Sequence, residues 1–140
     1  MLFSARLFTL LACLSLVFGC GGDASLIPVE GKATADGQAL TKGTVRFVPD
    51  TSKGNSAPHE PIGEIGSDGS YKLTTNGKPG APAGWYKVGI ASSEVPDSSK
   101  PNATKSYVAS RFNDPQKSGI SVEVAASSTP DKYEIKASAK

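Results

Sequence analysis

Between residues 29 and 137 the chain repeats one pattern, a short run of alternating apolar and polar side chains followed by Gly, Pro, Asn or Asp. A two-residue period is that of a strand with one buried face, and these four residue types end ladders or turn the chain. In residues 29–35, Val29, Gly31 and Ala33 share one face and Glu30, Lys32 and Thr34 the other, and Asp36-Gly37 ends the run. Residues 44–48 follow, with Val45 and Phe47 opposite Arg46; Pro49 closes the ladder because it has no N–H to donate. A loop over 50–60 leads to a weaker strand at 62–65. Ser67-Asp68-Gly69-Ser70 then predicts a hairpin turn, with 71–75 as its return strand. Asn-Gly, Pro-Gly and Ala-Pro-Ala make 76–83 a loop. The clearest strand is 85–91, where Tyr86, Val88 and Ile90 alternate with Lys87 and Gly89. A polar connection over 92–105, ending in a helical turn near 102–110, precedes two last strands built on Ile120, Val122 and Val124 and on Tyr133, Ile135 and Ala137.

About seven short strands without an amphipathic helix predict an all-β fold, an antiparallel β-sandwich. The predicted core is Val29, Val45, Phe47, Ile65, Tyr71, Leu73, Tyr86, Val88, Ile90, Ile120, Val122, Val124 and Ile135. At about 1.5–3 kcal/mol for each large apolar side chain buried, such a set offsets much of the entropy of ordering the chain.

The first residues follow a different rule. Arg6 precedes an apolar run over 7–18, after which come Gly19, Cys20 and Gly21-Gly22. A basic lead and a short apolar stretch describe a cleavable export signal, and the run is shorter than the roughly 20 residues of a spanning helix. Val17-Phe18-Gly19-Cys20 fits the lipobox of bacterial lipoproteins, with Phe18 bulkier than usual at the variable position. Residues 1–19 are therefore expected to be a lipoprotein signal peptide, residues 20–26 a lipidated Cys20 and Gly-rich tether, and residues 27–140 the folded domain. Each buried methylene is worth about 0.8 kcal/mol, so one chain holds marginally and two or more anchor stably. The resemblance to lipoproteins implies more than one chain, of the palmitate type.

Composition narrows the picture further. Processing removes Arg6 from a chain of formal net charge +2, and the remaining charges are interspersed, which favours neither nucleic acid nor an acidic surface. Of the two cysteines, Cys13 leaves with the signal and Cys20 is acylated, so the domain is expected to have no disulfide and to stand on core packing.

The motifs, taken in order, resemble a family. Val29-Glu30-Gly31-Lys32 through Asp36-Gly37-Gln38-Ala39-Leu40, then Gly43-Thr44-Val45-Arg46-Phe47-Val48-Pro49, is similar to the opening of the carboxypeptidase-regulatory-like, or transthyretin-like, bacterial lipoproteins. Asp68-Gly69-Ser70-Tyr71-Lys72-Leu73 resembles the family's hairpin, and Gly80-Ala81-Pro82-Ala83-Gly84-Trp85-Tyr86-Lys87-Val88 the lead-in to its next strand. Phe112-Asn113-Asp114-Pro115 and the run to Val124 match its end, while Ala39 departs from the usual Pro. The resemblance implies a Greek-key β-sandwich (prealbumin-like), exported and lipid-anchored, with no established catalytic role.

Candidate chemistry is sparse. A 5-hydroxyisourate hydrolase, suggested by the transthyretin-like resemblance, relies on several His and Arg and a C-terminal Tyr-Arg-Gly-Ser, whereas this chain has one His and ends Lys136-Ala137-Ser138-Ala139-Lys140. Metal sites of the zinc, iron or copper kind need more His or Cys than His59 alone provides. His59 stands in a Pro-flanked loop and reads as solvated, and one His suggests no triad. Asp36, Asp68 and Asp114 read as turn residues bonding their own backbone rather than calcium ligands. Asn102-Ala103-Thr104 fits a glycosylation acceptor but reads as solvated loop. Trp85 is the sharper candidate. With Tyr86 inward it points outward, beside the 78–83 loop, where its ring either stacks on a sugar or partner or lies under Pro79 and Pro82.

The expectation is therefore a non-enzymatic, membrane-anchored envelope lipoprotein without cofactor, catalytic residue or metal, acting as an interaction or structural module. Its partners are membrane lipid through Cys20 and an envelope protein or glycan, with no nucleic acid, and it is a monomer. The alternative is a carbohydrate-binding module using Trp85 and adjacent loops. Gly21 replaces the Asp that retains some lipoproteins at the inner membrane, so the outer membrane is the preferred address.

Overall fold

The computed structural model describes residues 25–94, 99–100, 104–127 and 132–140. Fourteen short strands run through them, and none of the described residues is α-helical. In chain order these are β1 (Leu26–Ile27), β2 (Glu30–Ala35), β3 (Gln38–Ala39), β4 (Thr44–Pro49), β5 (Ile62–Glu64), β6 (Ser70–Lys72) and β7 (Thr74–Thr75). There follow β8 (Lys78–Pro79), β9 (Ala81–Pro82), β10 (Gly84–Ala91), β11 (Ser93–Glu94), β12 (Lys105–Ser106), β13 (Ser121–Val124) and β14 (Ile135–Ala137).

The largest sheet has the order β13-β10-β4-β5-β7-β8 and is antiparallel throughout. A second sheet is centred on β2, which pairs with β14, β3 and β6. Two-stranded pairs β1-β9 and β11-β12 complete the fold. Alternation sets the buried face: Val45 and Phe47 on β4, Tyr86, Val88 and Ile90 on β10, and Val122 and Val124 on β13 join Ala33, Ala35, Tyr71, Ile135 and Ala137 of the second sheet in one apolar cluster. Phe47 is its centre, with ring centroids 6.5 Å from Tyr71 and 5.8 Å from Tyr86.

Several expectations meet corrections. The pairing is not wholly antiparallel, because β14 runs parallel to β2, with Ile135 opposite Ala33. The single return strand expected at 71–75 divides: β6 pairs with β2, whereas β7 crosses to β5 in the other sheet. The loop expected at 76–83 is itself paired. Asn76 (φ 49°) and Gly77 (φ 77°) form a two-residue turn between Thr75 and Lys78, and β9 receives β1. Asp36-Gly37 makes the same turn between Ala35 and Gln38. The helical turn falls later than expected, as a 3-10 turn at Ser110–Asn113, and it buries Phe112. Ile120 is only partly buried, while Val108 joins the core from irregular backbone and Phe112 from the 3-10 turn.

The second sheet is locked at one point. The buried Tyr71 hydroxyl donates to the Tyr133 carbonyl oxygen at 2.6 Å, which ties β6 to the approach to β14 across β2. Burial pushes the Tyr71 phenol well above its ordinary value, so it remains a donor.

Candidate functional site

Trp85 is the second residue of β10 and points away from Tyr86, which is fully buried. Its ring is half-buried on the outer face of the large sheet. The group on the ring is Lys53, whose ammonium lies 3.8 Å from the ring centroid and also donates to Ser121 Oγ at 3.1 Å. An exposed cation on an indole face is worth about 0.5–1 kcal/mol. The ring thus carries a cation from the 50–60 loop, a contact outside both sequence-based alternatives. Lys53 was not singled out in the sequence, although its local signal is legible. Asp50 caps a 3-10 turn at Thr51–Lys53, and Gly54 ends it in the left-handed region at φ 81°. That capped turn delivers Lys53 to Trp85. Asn55 then donates through Nδ2 to the Trp85 carbonyl oxygen at 2.9 Å, and the Asp50 N–H donates to the same oxygen at 2.9 Å.

The same outer face carries Lys87, which donates to Gln116 Oε1 at 2.7 Å and lies 4.0 Å from Asp50 Oδ1. Between the 53–58 loop and residues 82–84 runs a shallow groove of about 330 Å³. The arrangement is a mixed surface of one ring, two ammonium groups and hydroxyls.

Asp50 is the buried charge of this region, with its side chain 4 % exposed. The Ser52 hydroxyl holds its carboxyl below the usual carboxylate range, burial opposes this, and Lys87 reinforces it. A carboxyl lowered in the folded state stabilises the fold above its unfolded pKa, and that stability is lost as pH falls through the folded value. The urea midpoint should therefore fall on acidification below about pH 4. Ser52→Ala should flatten that fall relative to the unaltered chain; parallel midpoint-against-pH curves would show that the hydroxyl has no such role.

The remaining sequence candidates separate. His59 is exposed, next to Glu60, whose carboxylate pairs with Arg46 at 3.5 Å. Asp68 Oδ1 accepts the Ser70 N–H at 3.0 Å and its hydroxyl at 2.6 Å, and Asp114 Oδ1 accepts the Gln116 N–H at 2.9 Å, both within their own turns. Asp36 differs: its Oδ2 accepts the N–H of Ala139 at 3.1 Å, tying the last residues to the β2–β3 turn instead of bonding locally. Among the described residues no three His, Cys, Asp or Glu side chains form a group able to hold a metal ion. Cys20 and the Asn102 acceptor lie outside the described residues.

A second polar cluster lies at the other end of β10. Lys42 pairs with Glu94, and the Tyr107 hydroxyl also bonds that carboxylate. Glu94 is held below the usual carboxylate range, first by Lys42 and then by Tyr107, while Lys42 and Tyr107 are raised by it. These bonds secure the β11–β12 hairpin at the surface, where ion pairs contribute little to stability.

In comparisons with known proteins, no family model matches the chain, and neither a curated protein nor a solved structure matches it.

Proposed function

We propose that the chain is a lipid-anchored, non-enzymatic envelope protein: a transthyretin-like Greek-key sandwich moored through acylated Cys20 and serving as an interaction or structural module, with the outer membrane as its address. The observation that carries this is Val17-Phe18-Gly19-Cys20-Gly21-Gly22, a lipobox after a basic-apolar lead, standing a few residues before strand β1. What supports the sandwich reading is that the inward faces of the large sheet and of the β2 sheet share one apolar cluster. The choice of binding over catalysis rests on the sequence, which offers one His and, after processing, no thiol with which to build a nucleophile.

Lipid attachment makes a direct prediction. In cells given labelled palmitate, the unaltered chain should carry label and partition into the detergent phase, and Cys20→Ala should lose both. Equal partitioning of the two would contradict the anchor.

The second reading, a carbohydrate-binding module, draws on half-buried Trp85 beside the 53–58 groove. It requires the Lys53 ammonium to leave the ring face before a sugar can stack there.

A further inference from the structure

We propose that the end of the fold bearing β1, β9 and the 50–58 loop faces the lipid surface, so that the opposite end is the one presented to partners. This rests on acylation at Cys20 and adds an orientation to it. Strand β1 is seated on β9, Leu26 against Pro82 and Ile27 against Ala81, so the chain coming from Cys20 enters the fold at that end. Gly80 permits the seat: a Cβ there would stand 2.7 Å from the Ile27 carbonyl oxygen.

From this root β10 runs away, starting at Gly84 next to β9 and ending at Ala91. Ala91 lies opposite Thr44, and Thr44 opposite Glu64, so the turn at 66–69 and the β11–β12 hairpin belong to the far end. The Asp36-Gly37 turn joins them, because the Gly69 carbonyl oxygen accepts the Ala33 N–H at 2.9 Å. The eight residues of β10 span about 24 Å at about 3.4 Å per step. The five chain steps from Cys20 to Ser25 reach at most about 18 Å when fully extended. The tether is thus shorter than the strand. With its acyl chains held in a bilayer, the molecule cannot stand inverted on its far end.

The test uses the full acylated chain. Once Cys20 carries lipid the mature protein has no other thiol, so Ser56→Cys and Gln38→Cys, both at exposed positions, each accept one fluorescent donor. Both proteins are incorporated into vesicles of phosphatidylethanolamine and phosphatidylglycerol that carry an energy acceptor on some headgroups, and flotation of the vesicles is read in the same samples. Transfer should be several-fold more efficient from position 56 than from position 38. Flotation with equal transfer, or with stronger transfer from position 38, would overturn the orientation while leaving the anchor standing. Failure of the protein to float with the vesicles would overturn the acylation reading, and the orientation with it.

Discussion

Gly31→Val should yield no soluble folded protein, and Gly31→Ala should lower the urea midpoint steeply. Gly31 lies in β2 between β6 and the approach to β14, where the Tyr71 hydroxyl reaches across to the Tyr133 carbonyl. A Cβ on Gly31 would fall well inside contact distance of the Tyr133 carbonyl oxygen, and 2.8 Å from both its carbon and the Tyr71 hydroxyl. Added core volume commonly costs about 1–3 kcal/mol when side chains can give way. Two of these three atoms are backbone, and the third is a buried donor, so β2 and β14 must separate and the 2.6 Å bond must break. That combination approaches the whole stability of a small domain, about 5–15 kcal/mol. Soluble yield and urea denaturation read the effect, and a Gly31→Ala protein with an unchanged midpoint would show that β2 and β14 do not approach in this way.

The second large effect is at the centre of the cluster. Phe47 is fully buried between Tyr71 and Tyr86, its ring inclined 53° and 49° to theirs. Phe47→Ala removes the ring and leaves a cavity that strands on both sides hold open, at a cost of about 3–5 kcal/mol. Far-ultraviolet circular dichroism and the fluorescence of Trp85, the single tryptophan, should report one shared, much lower urea midpoint with the slope of the transition preserved. A loss under about 1 kcal/mol would mean that the inward faces of the two sheets do not share a core at Phe47.

Long alternating runs made much of this fold legible. Val45 and Phe47 on β4 and Tyr86, Val88 and Ile90 on β10 could be assigned to the core from period alone, because one face of each strand is buried along its length. Two-residue strands such as β8, β9 and β12 carry too few residues to show a period. The Asn76-Gly77 turn was visible as a dipeptide, yet Lys78-Pro79 beside it has no alternation, so the segment read as loop. The division at Leu73, between β6 on one sheet and β7 on the other, and the parallel pairing of β14, depend on contacts distant in sequence. Val108, on irregular backbone, and Phe112, in a single 3-10 turn, follow no spacing rule that marks them as buried.

The site divides in the same way. The outward direction of Trp85 follows from Tyr86 being inward, while Lys53 on its ring depends on a capped turn contributed by another loop. The close approach at Gly31 has no sequence signature of its own, since glycine there could equally have marked a turn.

Intact mass measurement of the mature protein, extracted from membranes in detergent, decides whether Cys20 carries lipid. The expected mass is that of a polypeptide beginning at Cys20 plus more than one acyl chain. A free thiol at Cys20, or retention of residues 1–19, would contradict it.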